Sequence, residues 1–91
     1  MAAAFAVSPF LFVDAWGWCA SVNPKDKQYH KAKQIIEKSF ESGSHLITTN
    51  FVLDEAYTLI RFHINHQASV DLHQIMDQLV ADDLLKIIHN R

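Results

Sequence analysis

The sequence predicts an α/β fold built on a parallel sheet with helical crossovers, from three observations. Short apolar runs at residues 10–13, 46–49 and 84–88 have the length and composition of strands. The segments between them carry apolar residues at helical spacing. Strands joined through helices are expected to lie parallel, with right-handed connections.

The first run, Phe10-Leu11-Phe12-Val13, is apolar at every position, as in a strand buried on both faces, and it closes on Asp14. Asn23-Pro24 reads as a cap followed by proline at the first helical position. Tyr29, Ala32, Ile36 and Phe40 then repeat at helical spacing, and Gly43 offers a stop, so a helix is predicted over 24–42. Leu46-Ile47-Thr48-Thr49 is the second strand, with Thr49 or Asn50 capping the helix that follows. That helix carries Val52, Ala56, Leu59, Ile60 and His63 on one face and should end near Asn65. Another helix starts at Ser69, with Leu72, Ile75, Met76, Leu79 and Val80 forming an apolar stripe. Leu84 to Ile88 completes the pattern as the third strand.

A chain of 91 residues supports one hydrophobic core, so residues 1–91 are read as a single domain. With 49% hydrophobic residues, two Gly and two Pro, the composition is that of a packed protein and excludes a disordered tail. A formal charge of -2 gives no general attraction to nucleic acid or anionic lipid, so any RNA contact must be local. The single cysteine, Cys19, rules out an internal disulfide, points to a reducing cytoplasm and reads as a small core residue. The opening stretch is apolar but has no basic region and is interrupted by Pro9, which argues against a signal peptide. No segment reaches membrane-crossing length.

In an open parallel sheet, functional groups collect beyond the C-terminal strand ends. Asp14 stands at that rim after the first strand, and Thr49, Asn50 and Glu55 stand there after the second. A helical wheel puts Glu55 between Leu59 and Phe62 on the core-facing arc, and Asp54 beside Arg61 on the solvent side. A carboxylate on an apolar arc calls for compensation, which a bound cation would supply.

Phe12-Val13-Asp14, an apolar strand closing on an acid, and Thr49-Asn50-Phe51-Val52-Leu53-Asp54-Glu55, a hydroxyl residue six positions before a helical glutamate, resemble the first two motifs of PIN domains. That fold includes small metal-dependent ribonucleases such as the VapC-type toxins. The resemblance spans about residues 10–90. It implies that Asp14 and Glu55 are catalytic metal ligands supported by Thr49 and Asn50. It further implies Mg2+ or Mn2+ activating water for RNA phosphodiester hydrolysis, a cognate antitoxin as partner and a cytoplasmic setting. In the family two further acids follow the third strand, so the chain is expected to be a C-terminally truncated PIN domain. Asp82 and Asp83 do not replace those acids, because they precede the third strand and belong to the opposite edge. The family's first strand is central, so truncation would leave it at an edge, and an apolar edge predicts a homodimer whose partner would bring its own acids near the site. The alternative function is a catalytically inactive PIN remnant acting as a binding or dimerising regulatory protein. A phosphoacceptor receiver domain is set aside, since His89-Asn90-Arg91 stands where its aspartate would be.

Each candidate also has a structural reading. Asp14 can cap the following turn, Glu55 can complement its helix dipole, and Thr49 can be a plain N-cap. Trp16, Lys27 and Lys31 are candidates for RNA contact. Trp18 is a further stacking candidate, with ordinary packing favoured for both tryptophans, and the lysine stripe through Lys38 reads mainly as a solvated face. His63 and His66 have zinc-like spacing but no third ligand.

Overall fold

A computed structural model describes residues 10–89. The elements are strand β1 (Phe10–Phe12), helices α1 (Ala15–Ser21) and α2 (Tyr29–Ser42), strand β2 (His45–Thr49), helices α3 (Asn50–His63) and α4 (His66–Ala81), and strand β3 (Leu85–Ile88). The apolar opening stretch and the last two residues lie outside the described range.

All three strands run parallel in the order β1-β2-β3, with Leu11 level with Leu46 and Leu46 level with Leu85. Strand order equals chain order, so crossovers of one hand place both helix pairs on the same side of the sheet. Leu46, Thr48 and Leu85 point into that side and are buried, together with Val13 just beyond β1. They join Trp18, Ile36, Ala56, Ile60, Leu72, Met76 and Leu79 in one core. Phe12, Lys86 and Ile88 lie on the other side and are exposed. β1 is therefore an edge strand, as expected.

Helix ends follow local chemistry. Thr49 caps α3 by accepting the Val52 N–H at 3.1 Å, and Asn65 caps α4 by accepting that of Ala68 at 2.8 Å. Gly43 ends α2 at φ 71°, a left-handed conformation that costs glycine little.

Four expectations need correction. Residues 15–21 form a helix that was not predicted, because the Trp-Gly-Trp sequence offers little helical periodicity. The next helix starts at Tyr29, not at residue 24: Asn23 spends its side-chain oxygen on the nearby Lys25 N–H at 3.2 Å, and Pro24 sits in the resulting turn. α4 begins at His66, three residues before Ser69, because Asn65 supplies the cap. The break at Ile64-Asn65 also puts His63 and His66 on different helices, which removes their helical i, i+3 spacing.

Candidate active-site rim

The site is built from the sheet register outward. β1 and β2 pair with an offset that sets Phe12 beside Ile47, and the Val13 N–H continues the ladder to the Ile47 carbonyl at 2.9 Å. Carried on, that offset brings Asp14 level with Thr49 at the C-terminal rim. Asp14 then caps α1: its Oδ1 accepts the Gly17 N–H at 2.8 Å, while its carbonyl accepts the Trp18 N–H at 3.2 Å. The capping reading of Asp14 is thus correct in geometry and leaves its other carboxylate oxygen without a hydrogen bond among the described residues. The turn is close at Gly17, where an added Cβ would stand 3.0 Å from Val13 Cγ1 and 3.4 Å from Asp14 Oδ1, so that those side chains would have to shift slightly.

Glu55 lies in the second turn of α3, one residue before the fully buried Ala56. α1 packs against α3 here, and the Cys19 thiol donates to the Ala56 carbonyl at 3.7 Å. The Cys19 thiol also responds to the charges of this region. Its pKa is pushed up to about 11, first by burial and then by the charges of Asp26, Glu55 and Asp14. Asp14, the cap of α1, and Glu55, on α3, are 41 residues apart in sequence (55 less 14) and belong to the two helices that meet at the Cys19–Ala56 contact.

The burial argument made for Glu55 is overturned: the residue is exposed. Phe62, placed on the same arc, is 74% exposed. The helix instead turns Ala56 and Ile60 inward, so Glu55 needs no cation to offset desolvation. Its connection to the site rests on its place beside the α1–α3 contact.

Thr49 is half-buried and caps α3; Asn50 is half-buried at the first helical position. Trp16 is 67% exposed and two residues from Asp14, free to present its ring to a ligand, whereas Trp18 is 0% exposed and cannot stack on a base. Lys27 and Lys31 are exposed, one in the loop before α2 and one in its first turn. Asp26, in that loop, was not singled out from sequence, where it falls inside the predicted helix; its Oδ1 accepts the Gln28 N–H at 2.8 Å. Thr48 was also missed. It is buried and bonded to both Val13 and Trp18, and the signal available for it was its alternation with Leu46 on the core side of the strand.

Oxygen donors of this kind suit hard divalent cations. Asp14 and Glu55 are two exposed donors of this type, and among the described residues no group of three or more His, Cys, Asp or Glu is arranged to hold a metal ion. An open groove of about 550 Å³ lies elsewhere, between α2 and α4, and includes neither acid in its lining. Among the described residues no helix is long and apolar enough to cross a membrane.

No protein-family model matches the chain, and no curated protein matches it. Among solved structures it is similar to that of Mycobacterium tuberculosis VapC20, a sarcin-ricin loop cleaving toxin, with a TM-score of 0.62 and 26% identity. The match covers 86% of this chain and 55% of that one, so the chain spans little more than half the length of the structure it resembles. VapC20 is a PIN-domain toxin, and the three-stranded parallel sheet with its helices is a PIN-like fold of that type.

Proposed function

We propose that this chain carries part of the active site of a Mg2+- or Mn2+-dependent endoribonuclease of the PIN-domain toxin type. The observation that supports it most is the placement of Asp14 at the C-terminal end of β1 and of Glu55 on α3, the helix that packs on α1 at the Cys19–Ala56 contact, in a sheet similar to that of VapC20. In this reading Asp14 and Glu55 hold the cation, which lowers the pKa of bound water and stabilises charge on the scissile phosphate. Thr49 fixes the start of α3 and thereby the direction of Glu55, and Asn50 supports the same turn.

Asp14 keeps one oxygen on Gly17 and offers the other to the ligand. Further ligands come from a segment or subunit beyond the described residues. RNA is the substrate: VapC20 cleaves the sarcin-ricin loop, exposed Trp16 offers a stacking ring two residues from Asp14, and exposed Lys27 and Lys31 at the start of α2 offer two phosphate contacts. A cognate antitoxin, a homodimer and a cytoplasmic location belong to the same proposal, with residues 1–91 forming one folding unit.

Calorimetry with Mn2+ and Mg2+ on the chain, on Asp14→Asn and on Glu55→Gln tests the reading. Saturable binding that weakens at least about tenfold in each variant is expected from the loss of a charged ligand. Metal-dependent cleavage of a structured RNA on the same samples tests turnover. An absence of metal binding in the wild-type chain would remove Asp14 and Glu55 as a metal site.

A further inference from the structure

A hydroxyl inside an apolar core is unfavourable unless its hydrogen-bonding capacity is used. Thr48 is fully buried on the helix-covered side of the sheet, on the same strand face as Leu46. Its Oγ1 donates to the Val13 carbonyl at 3.1 Å and accepts the Trp18 indole N–H at 3.1 Å. The indole can only donate, so a buried Trp18 needs this acceptor. Among the described residues no buried side-chain polar atom is left without a partner.

The chain of bonds spans the turn from Val13 to Trp18, which begins with Asp14. Val13 precedes Asp14, and the Trp18 N–H bonds the Asp14 carbonyl at 3.2 Å. Thr48 therefore grips the β1–α1 turn from both ends: the backbone just before the acid and the side chain one helical turn after it. Valine would fill nearly the same space but would strand both the indole N–H and the Val13 carbonyl. Packing alone does not account for a hydroxyl here.

We propose that Thr48 is a positioning residue for Asp14: by bridging Val13 and Trp18 it holds the turn in which Gly17 fixes the carboxylate. The role toward metal rests on the reading of Asp14 as a ligand given above, whereas the mechanical coupling does not. Thr48 touches no ligand and acts only through this turn.

Thr48→Val and Thr48→Ser, prepared in the whole chain, separate hydroxyl from shape. Hydrogen exchange at the Gly17 amide, followed by NMR, reports whether the Asp14 carboxylate stays docked, with the Leu79 amide in the α4 core as reference. In Thr48→Val, Gly17 exchange is expected to accelerate about tenfold more than Leu79 exchange, and Mn2+ affinity to fall by a similar factor. Thr48→Ser should return both to within about twofold of wild type, since the bridge is retained. Unchanged Gly17 protection in Thr48→Val, or a serine variant that behaves like valine, would overturn the proposal. Should the wild-type chain bind no Mn2+, the ligand reading fails on its own, and Gly17 exchange still decides the coupling. If Thr48→Val does not fold, Trp18→Phe, which deletes the indole N–H and keeps a ring in the core, carries the test: faster Gly17 exchange supports the bridge and unchanged exchange rejects it.

Discussion

Cys19 shows how one side chain can record its surroundings. Burial and three nearby carboxylates all disfavour the thiolate, and its pKa rises from 9.0 to about 11. At pH 8 the folded protein should therefore react with a thiol-specific disulfide reagent about a hundredfold more slowly than the denatured chain, from ionisation alone, with burial slowing it further. The same shift has a sign in stability. The folded state holds the thiol proton to higher pH than the unfolded state, so folding releases no proton below pH 9 and this contribution is fully present there. Above pH 9 the unfolded chain ionises first, and the contribution is lost as pH rises toward about 11. Urea titrations at pH 8 and pH 10.5 should show a drop that is smaller in Cys19→Ala, once each curve is compared with its own value at pH 8. A drop of equal size in both proteins would mean that other groups carry it. Since Asp14 and Glu55 contribute to the shift, faster thiol reaction in Asp14→Asn and Glu55→Gln would independently locate those acids beside the sulfur.

At the level of elements, the close approach of α1 and α3 sets the rotation of α3 and hence the place of Glu55. Ala56 and Ile60 are fully buried, while the larger Phe51 and Phe62 face outward. Ile60→Ala should cost about 2–5 kcal/mol in a urea titration, and Phe62→Ala only about 0.5 kcal/mol or less. The reverse ranking would mean that α3 is rotated from the position described. The face of Val52, Ala56, Leu59 and Ile60 was read correctly, but the arc that set Glu55 between Leu59 and Phe62 on the core side was not, and the reason is physical. Hydrophobic periodicity weights a helix face by its large side chains, but two backbones approach closest where side chains are small, as at Ala56 against Cys19. The three strands were legible because their apolar runs are bounded by Asp14, Gly43 and the Asp82-Asp83 turn. Asp14, Thr49 and Glu55 were legible as a motif, and the Thr49 cap is present as expected. α1 was not legible, since its helical state depends on the Asp14 cap and on burial of Trp18. Thr48 was legible only as a core-side position alternating with Leu46, because nothing in a strand hydroxyl's sequence setting shows that it will be bonded on both sides.

For the molecule as a whole, the question is what covers the second side of the sheet. Parallel sheets are ordinarily covered on both faces, and here Phe10, Phe12 and Ile88, exposed at 45%, 54% and 41%, lie on the face opposite the helices. The proposed homodimer can use this face or the β1 edge, and the two differ in what they do for the site. A two-fold pairing along β1 must run antiparallel. If it is centred on Leu11, the two Asp14 residues stand six positions apart along the ladder, roughly 20 Å at about 3.3 Å per residue, which is too far to share a cation. Edge pairing centred on Leu11 therefore does not bring the partner's Asp14 to the site, and such association would serve burial of the apolar face. Two phenylalanines from each copy offer roughly 150–250 Å² apiece at most, before any contribution from Ile47 and Ile88. Sedimentation velocity at tens of micromolar should show a concentration-dependent dimer for the wild-type chain. The double variant Phe10→Ser, Phe12→Ser should sediment as a monomer with an unchanged helical circular dichroism spectrum, because both side chains are largely outside the core. A wild-type chain that remains monomeric throughout would reject the homodimer, and a dimer that survives both substitutions would move the interface away from this face.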